Sequence, residues 1–124
     1  MVEFDINLPI YLQIAEIICN DIISGKFSPG EKLESVRSFA EMYEVNPNTV
    51  QRALSDLEST GLIYSKRAVG KFVTEDSNMI HIIRERQIDI EIKNMLDKLY
   101  SLGYSKEEIY TSLKNLLKEE DNNE

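Results

Sequence analysis

The sequence predicts a mainly α-helical chain with a small β-hairpin wing, and three observations within residues 33–73 predict it. Two apolar stripes repeat at the 3.6-residue period: Val36, Phe39, Ala40 and Tyr43, then Val50, Ala53, Leu54 and Leu57. Between them, Glu44-Val45-Asn46-Pro47 supplies a helix start. Asn46 is placed to cap the free N–H groups of the second helix, and Pro47 loses no donor at its first position. After Gly61, a left-handed stop, Leu62-Ile63-Tyr64 and Phe72-Val73 read as strands joined by a turn at Ala68-Val69-Gly70. Helix, short turn, helix and hairpin make a winged helix-turn-helix.

The other elements follow in chain order. Residues 1–8 form a short arm, and Pro9 starts a helix over residues 10–24. Its apolar set is Ile10, Ile14, Ile17, Ile18 and Ile22, widened by Leu12, Ala15, Cys19 and Ile23, with Gly25 as the stop. Phe27-Ser28-Pro29-Gly30 is a turn with proline and glycine in the favoured central positions. Glu31-Lys32-Leu33 is expected as a short strand, and Ser35 as the cap of the next helix. Beyond Val73, residues 74–78 form a polar linker. A long helix over about residues 79–102 then carries Ile88, Ile92, Met95, Leu96 and Leu99 on one face, and Gly103 breaks it. Ser105 with Glu108 makes a capping box for a last helix striped by Ile109, Leu113, Leu116 and Leu117. The acidic tail that closes the chain is expected to fray.

Two domains result: a winged helix-turn-helix over residues 1–77 and a two-helix segment over residues 78–124. Two helices cannot bury two apolar stripes on each other alone, since such a segment is below the usual size of a stable core. A second copy related by a two-fold axis covers them most simply, which makes the segment a dimerisation element. Packing of the two helices back onto their own winged domain stays open as the other solution.

Composition bounds the function. In 124 residues, 42% are hydrophobic and 29% charged, the mix of a folded domain and not of a disordered chain. No apolar run is long enough to span a membrane, and the acidic N-terminal stretch lacks the layout of a signal peptide. The lone Cys19, set among isoleucines, reads as a buried structural thiol, so a cytoplasmic location is expected. His81 is the only histidine, no glycine-rich phosphate loop is present, and the glutamate pairs at 107–108 and 119–120 suit solvated helix faces. The inventory supports no enzyme, no metal centre and no cofactor. Tyr11, Tyr43, Tyr64 and Tyr100 are read as core or interface residues.

Winged helices of this order present one helix to a DNA groove. The net charge of −8 runs against that use, because nucleic-acid binders are usually basic. Between residues 46 and 73, however, Arg52, Lys66, Arg67 and Lys71 face only Asp56 and Glu58, a local balance of +2. Such a surface predicts weak non-specific binding and a steep salt dependence. A protein-interaction module without specific DNA binding is the alternative. It is disfavoured by the Asn46–Arg52 face, a run of polar, base-competent side chains with no apolar patch.

The motifs Pro9-Ile10-Tyr11 with Gln13-Ile14, Ile22-Ile23-Ser24-Gly25, Pro29-Gly30-Glu31-Lys32-Leu33, Ser35-Val36-Arg37 and Asn46-Pro47-Asn48-Thr49-Val50 resemble the winged-helix regulators of the GntR family. The short tail, with Leu102-Gly103-Tyr104-Ser105 and Glu107-Glu108, resembles the YtrA subfamily; together the likeness covers about residues 9–117.

That resemblance implies a homodimeric transcriptional regulator, usually a repressor, on a palindromic operator of double-stranded DNA, with transporter operons as common targets of the subfamily. Carried onto this chain, the resemblance implies that Arg37 contacts the DNA backbone, with a guanine as a further candidate partner. Asn46, Asn48, Thr49, Gln51 and Arg52 line the reading helix, where Asn and Gln suit adenine, Arg suits guanine, and Thr suits phosphate or a thymine methyl. Asn46 serves equally well as a cap alone, and Arg52 as a solvated charge or an intramolecular partner. Lys66, Arg67 and Lys71 of the wing suit phosphates.

Two departures stand out. Glu34 replaces the proline common in the family, and the wing reads Arg67-Ala68-Val69-Gly70-Lys71 where Arg-Gly-x-Gly-Thr is usual. Ala68 lacks glycine's freedom at positive φ, so the wing is expected to position the protein more than to read bases. The tail is too short to enclose a typical ligand pocket within one subunit, so an unidentified effector, if one exists, belongs between subunits or domains.

Overall fold

Gln13 organises the N-terminal end of the computed structural model, which describes residues 2–122. Helix α1 (Ile10–Ile23) begins after Pro9 without a side-chain cap. Instead the Gln13 Oε1 accepts the Asp5 N–H at 2.8 Å, and its Nε2 donates to the carbonyls of Asp5 and Leu8 at 2.9 and 3.0 Å. The short arm is thereby tied down, with Phe4 packed against the core; Met1 lies outside the described residues.

Helix α2 (Val36–Tyr43) starts where Ser35 Oγ accepts the Ser38 N–H at 3.0 Å. It ends at Glu44, which adopts the left-handed conformation (φ +56°), while the Val45 N–H reaches back to the Ala40 carbonyl. A non-glycine residue there is unusual and costs about 1–2 kcal/mol. Helix α3 (Pro47–Ser59) starts as the sequence predicts, with Asn46 Oδ1 accepting the Asn48 N–H at 2.8 Å and Pro47 in the first turn. Gly61, at φ +85°, turns the chain into the hairpin.

Strands β1 (Ile63–Lys66) and β2 (Gly70–Val73) pair antiparallel, Ile63 opposite Val73 and Lys66 opposite Gly70. Both run longer at the tip than the apolar residues alone indicate, because the ladder continues through exposed Ser65 and Lys66. The expected strand at residues 31–33 shrinks to a single bridge between Lys32 and Phe72. Ile14, Ile18 and Ile22 of α1, Phe39, Val50, Leu54, Leu62, Ile63 and Val73 are all under 2% exposed and form the core. Each such burial contributes about 1.5–3 kcal/mol.

Helix α4 (Ser77–Ser101) starts inside the predicted linker, because Asp76 Oδ1 accepts the Met79 N–H at 3.1 Å and caps it. Met79, Ile80 and Ile83 pack against the core. Contacts divide the chain within this helix into two units, residues 1–84 and 85–124.

In the second unit, helix α5 (Lys106–Asn122) carries the predicted capping box: Ser105 Oγ accepts the Glu108 N–H, and Glu108 Oε1 accepts the Ser105 N–H. The tail expected to fray is helical through Asn122; the last two residues lie outside the described residues. Only Ile109 is buried among the described residues of this unit. Leu96 and Leu99 are half-buried, whereas Ile88, Ile92, Met95, Leu113, Leu116 and Leu117 are exposed, Leu116 to 60%.

Candidate nucleic-acid interface

Burial of Val50, Ala53, Leu54 and Leu57 fixes how α3 is rolled, so Asn48, Gln51 and Arg52 are exposed and Thr49 half-exposed. The oxygen of Asn46 is committed to capping, which leaves its amide nitrogen as the donor. The Arg52 guanidinium carbon lies 3.9 Å from the centre of the Tyr11 ring, so this arginine has an intramolecular partner. Tyr11, read from sequence as a core or interface residue, is half-buried and offers its ring to that side chain. Pro9, Ile10, Tyr11, Asn48, Thr49 and Arg52 line one cleft of about 530 Å3.

Arg37 is exposed on α2, its Nε 3.5 Å from Glu41 Oε1. With those side chains 89% and 73% exposed, the pair is weak and readily exchanged for another anion. Glu34, the residue in place of proline, accepts from Ser38 Oγ at 3.1 Å. Its carboxylate is thereby held at the first turn of α2, where the helix dipole favours negative charge.

The wing's three cations have different settings. Lys66 is exposed, with its Nζ 4.6 Å from the Phe72 ring centre. Arg67 is exposed in the turn. Lys71 is drawn inward: its Nζ lies 3.1 Å from Glu58 Oε2 and 2.9 Å from Ser65 Oγ, and its side chain is only 18% exposed. Hydrogen bonds from Ser65 and Lys71 hold the Glu58 carboxyl below the usual range. Ala68 adopts φ +65° in the turn closed by the Val69 N–H on the Lys66 carbonyl, so alanine occupies the left-handed conformation that glycine favours.

Sequence reasoning missed Tyr11, Gln13, Glu58 and Ser65 as supports of this surface, since each acts on a residue that only folding brings near. Burial raises the pKa of the Cys19 thiol, with Glu16 adding to the effect, so the thiol stays protonated at neutral pH. Tyr43 stacks on Phe39 inside the core, Tyr64 stacks on Phe72, and Tyr100 is exposed in the second unit. Among the described residues, no group of three or more His, Cys, Asp or Glu could hold a metal, and no helix is long and apolar enough to cross a membrane.

Residues 10–73 match the model of the bacterial regulatory proteins of the gntR family. The chain belongs to the GntR family. It is thus a DNA-binding transcriptional regulator of winged-helix type, in a family of regulators and not of enzymes. It is similar to the uncharacterized HTH-type transcriptional regulator YhcF of Bacillus subtilis, 33% identical over 90% of this chain and 93% of that protein. The HTH-type transcriptional repressor YtrA of the same organism is 29% identical over 89% of this chain and 85% of its own length, which supports the YtrA-type assignment. A GntR family transcriptional regulator from Listeria monocytogenes has the same fold, with TM-score 0.83 and 39% identity over 90% of this chain and 98% of that one. The DNA-binding domain of AraR, solved in complex with operator ORX1, matches 60% of this chain and 90% of its own, with TM-score 0.53 and 32% identity.

Proposed function

We propose that this GntR-family protein is a homodimeric repressor that reads a palindromic operator through α3. The observation that carries the reading is the outward face of α3, where Asn48, Gln51 and Arg52 stand exposed on a helix fixed by four buried residues. Asn48 and Gln51 match the adenine edge, Arg52 matches guanine, and Thr49 suits phosphate or a thymine methyl. Arg37, the Asn46 amide, Lys66 and Arg67 suit backbone phosphates. Lys71, engaged with Glu58, acts mainly by holding the wing. That YtrA is a repressor, and that AraR is found on operators, supports both the role and the target class.

Residues 1–77 act in this reading as the DNA-binding domain and residues 78–124 as the dimerisation segment. The stripe Ile88, Ile92, Met95, Leu96 and Leu99 with Ile109, Leu113, Leu116 and Leu117 is then covered by a second copy. Support comes from its exposure: six of these nine side chains are exposed in the single chain. A neighbouring operon of transporter type is the expected target, and a small-molecule effector, where one operates, sits between subunits.

Fluorescence anisotropy of the full chain on the duplex upstream of its own gene, against a scrambled duplex, tests the reading. Preferential binding that weakens by about 5- to 150-fold in Asn48→Ala and Arg52→Ala is expected, at about 1–3 kcal/mol per base-reading contact. No binding even at low salt would contradict it and favour a protein-interaction role for this acidic chain.

A further inference from the structure

We infer that Tyr11 is a positioning residue that sets the base specificity of Arg52, an inference that rests on the reading of α3 as the DNA-reading helix. Arginine on an exposed helix face has many rotamers, and ordering it on DNA costs affinity and blurs discrimination. Here the guanidinium is already ordered, 3.9 Å from the ring centre and within the range of a cation–π contact. The ring itself is anchored. Tyr11 stands in the first turn of α1, half-buried against the core. Pro9 restricts the chain before it, and Gln13 clamps the preceding loop through Asp5 and Leu8.

The kind of contact matters as much as its presence. Asp56 lies one helical turn beyond Arg52, yet none of the ion pairs among the described residues includes Arg52. A carboxylate would occupy the in-plane N–H donors and neutralise the charge. A ring near the guanidinium carbon leaves the charge uncancelled and places no acceptor oxygen on its N–H donors, and it is those donors that pair with guanine O6 and N7. Arg37, whose Nε faces Glu41, is the contrasting case on the same domain. Asn48 and Thr49 line the same cleft as Tyr11 and Arg52, so the guanidinium over the ring is held beside two other base-competent side chains.

The test uses the full chain and a pool of random-sequence duplexes, sequenced after selection, for the wild type, Arg52→Ala, Tyr11→Leu and Tyr11→Phe. The wild type is expected to enrich a motif containing a guanine whose preference Arg52→Ala abolishes. Tyr11→Leu should weaken the preference at that base pair alone by about two- to fivefold, the size of an exposed cation–π contact, and Tyr11→Phe should retain it. Before any DNA is added, ring current should shift the Arg52 Hδ protons upfield in the wild type and Tyr11→Phe but not in Tyr11→Leu. This readout stands even if Tyr11→Leu lowers stability. A motif that Arg52→Ala abolishes but Tyr11→Leu leaves unchanged would overturn the role of Tyr11 alone. A wild-type chain that enriches no motif would overturn the DNA reading of α3 and this inference with it.

Discussion

The Lys71 ammonium stands 3.1 Å from Glu58 Oε2 and ties the second strand of the wing to the C-terminal half of α3. Ser65, on the opposite strand, completes the junction through its hydroxyl at 2.9 Å from the same ammonium. A helix and a wing held by one small polar cluster keep a fixed angle between the two parts proposed to meet DNA.

Glu58→Gln tests that tie. Its carboxyl is held below its ordinary range by Ser65 and then Lys71, so the folded state binds this proton less readily than the unfolded chain. The stabilisation is therefore present above the ordinary carboxylate value and lost as pH falls through the lowered one. Because both side chains are partly exposed, the pair is worth about 0.2–1 kcal/mol. Urea melts at pH 7 should show that small loss in Glu58→Gln, and the difference from the wild type should vanish in acid.

Ala68→Gly should stabilise the protein. Alanine at φ +65° carries left-handed strain of about 1–2 kcal/mol, while glycine adds entropy to the unfolded chain. The net expectation is a gain of about 0.5–1 kcal/mol, visible as a rise of a few degrees in Tm by calorimetry. An unchanged or lower Tm would contradict the strained wing.

Asn46 separates a cap from a phosphate contact. Asn46→Ala should cost about 1 kcal/mol by freeing the Asn48 N–H. Asn46→Asp keeps the acceptor and suits the helix N-terminus, so its thermal stability should match the wild type. With its amide nitrogen against a backbone phosphate, Asn46→Asp should lose operator affinity by about tenfold or more, since it sets a negative charge there, and an unchanged affinity would leave Asn46 as a cap alone. Melting curves and anisotropy on the same two variants distinguish the two roles.

Features governed by neighbours in the chain were legible in the sequence. Ser35, Asn46 and the Ser105–Glu108 box cap the helices they were read to cap, and the stripes on α1, α2 and α3 face the core, fully buried on α3, with Ile10, Ile17 and Val36 half-buried and Leu12 exposed. Features governed by distant partners were not. No local rule brings Tyr11 to Arg52 or Glu58 to Lys71. Glu44 and Ala68 adopt positive φ although neither residue type signals it, because packing of α2 on α3 and strand pairing dictate the backbone there. The early start of α4 turned on Asp76, whose capping role was hidden in a run of polar residues that read equally well as linker.

Analytical ultracentrifugation of the full chain with the selected operator duplex, run beside Leu116→Glu, tests the central claim most directly. Leu116 is 60% exposed in the single chain, so a glutamate there should leave each subunit folded and disturb only what covers that face. The account predicts two wild-type subunits per duplex, and a Leu116→Glu chain that stays folded, remains monomeric and loses most of its operator affinity. One wild-type subunit per duplex, bound as tightly as its Leu116→Glu counterpart, would contradict a dimeric reader.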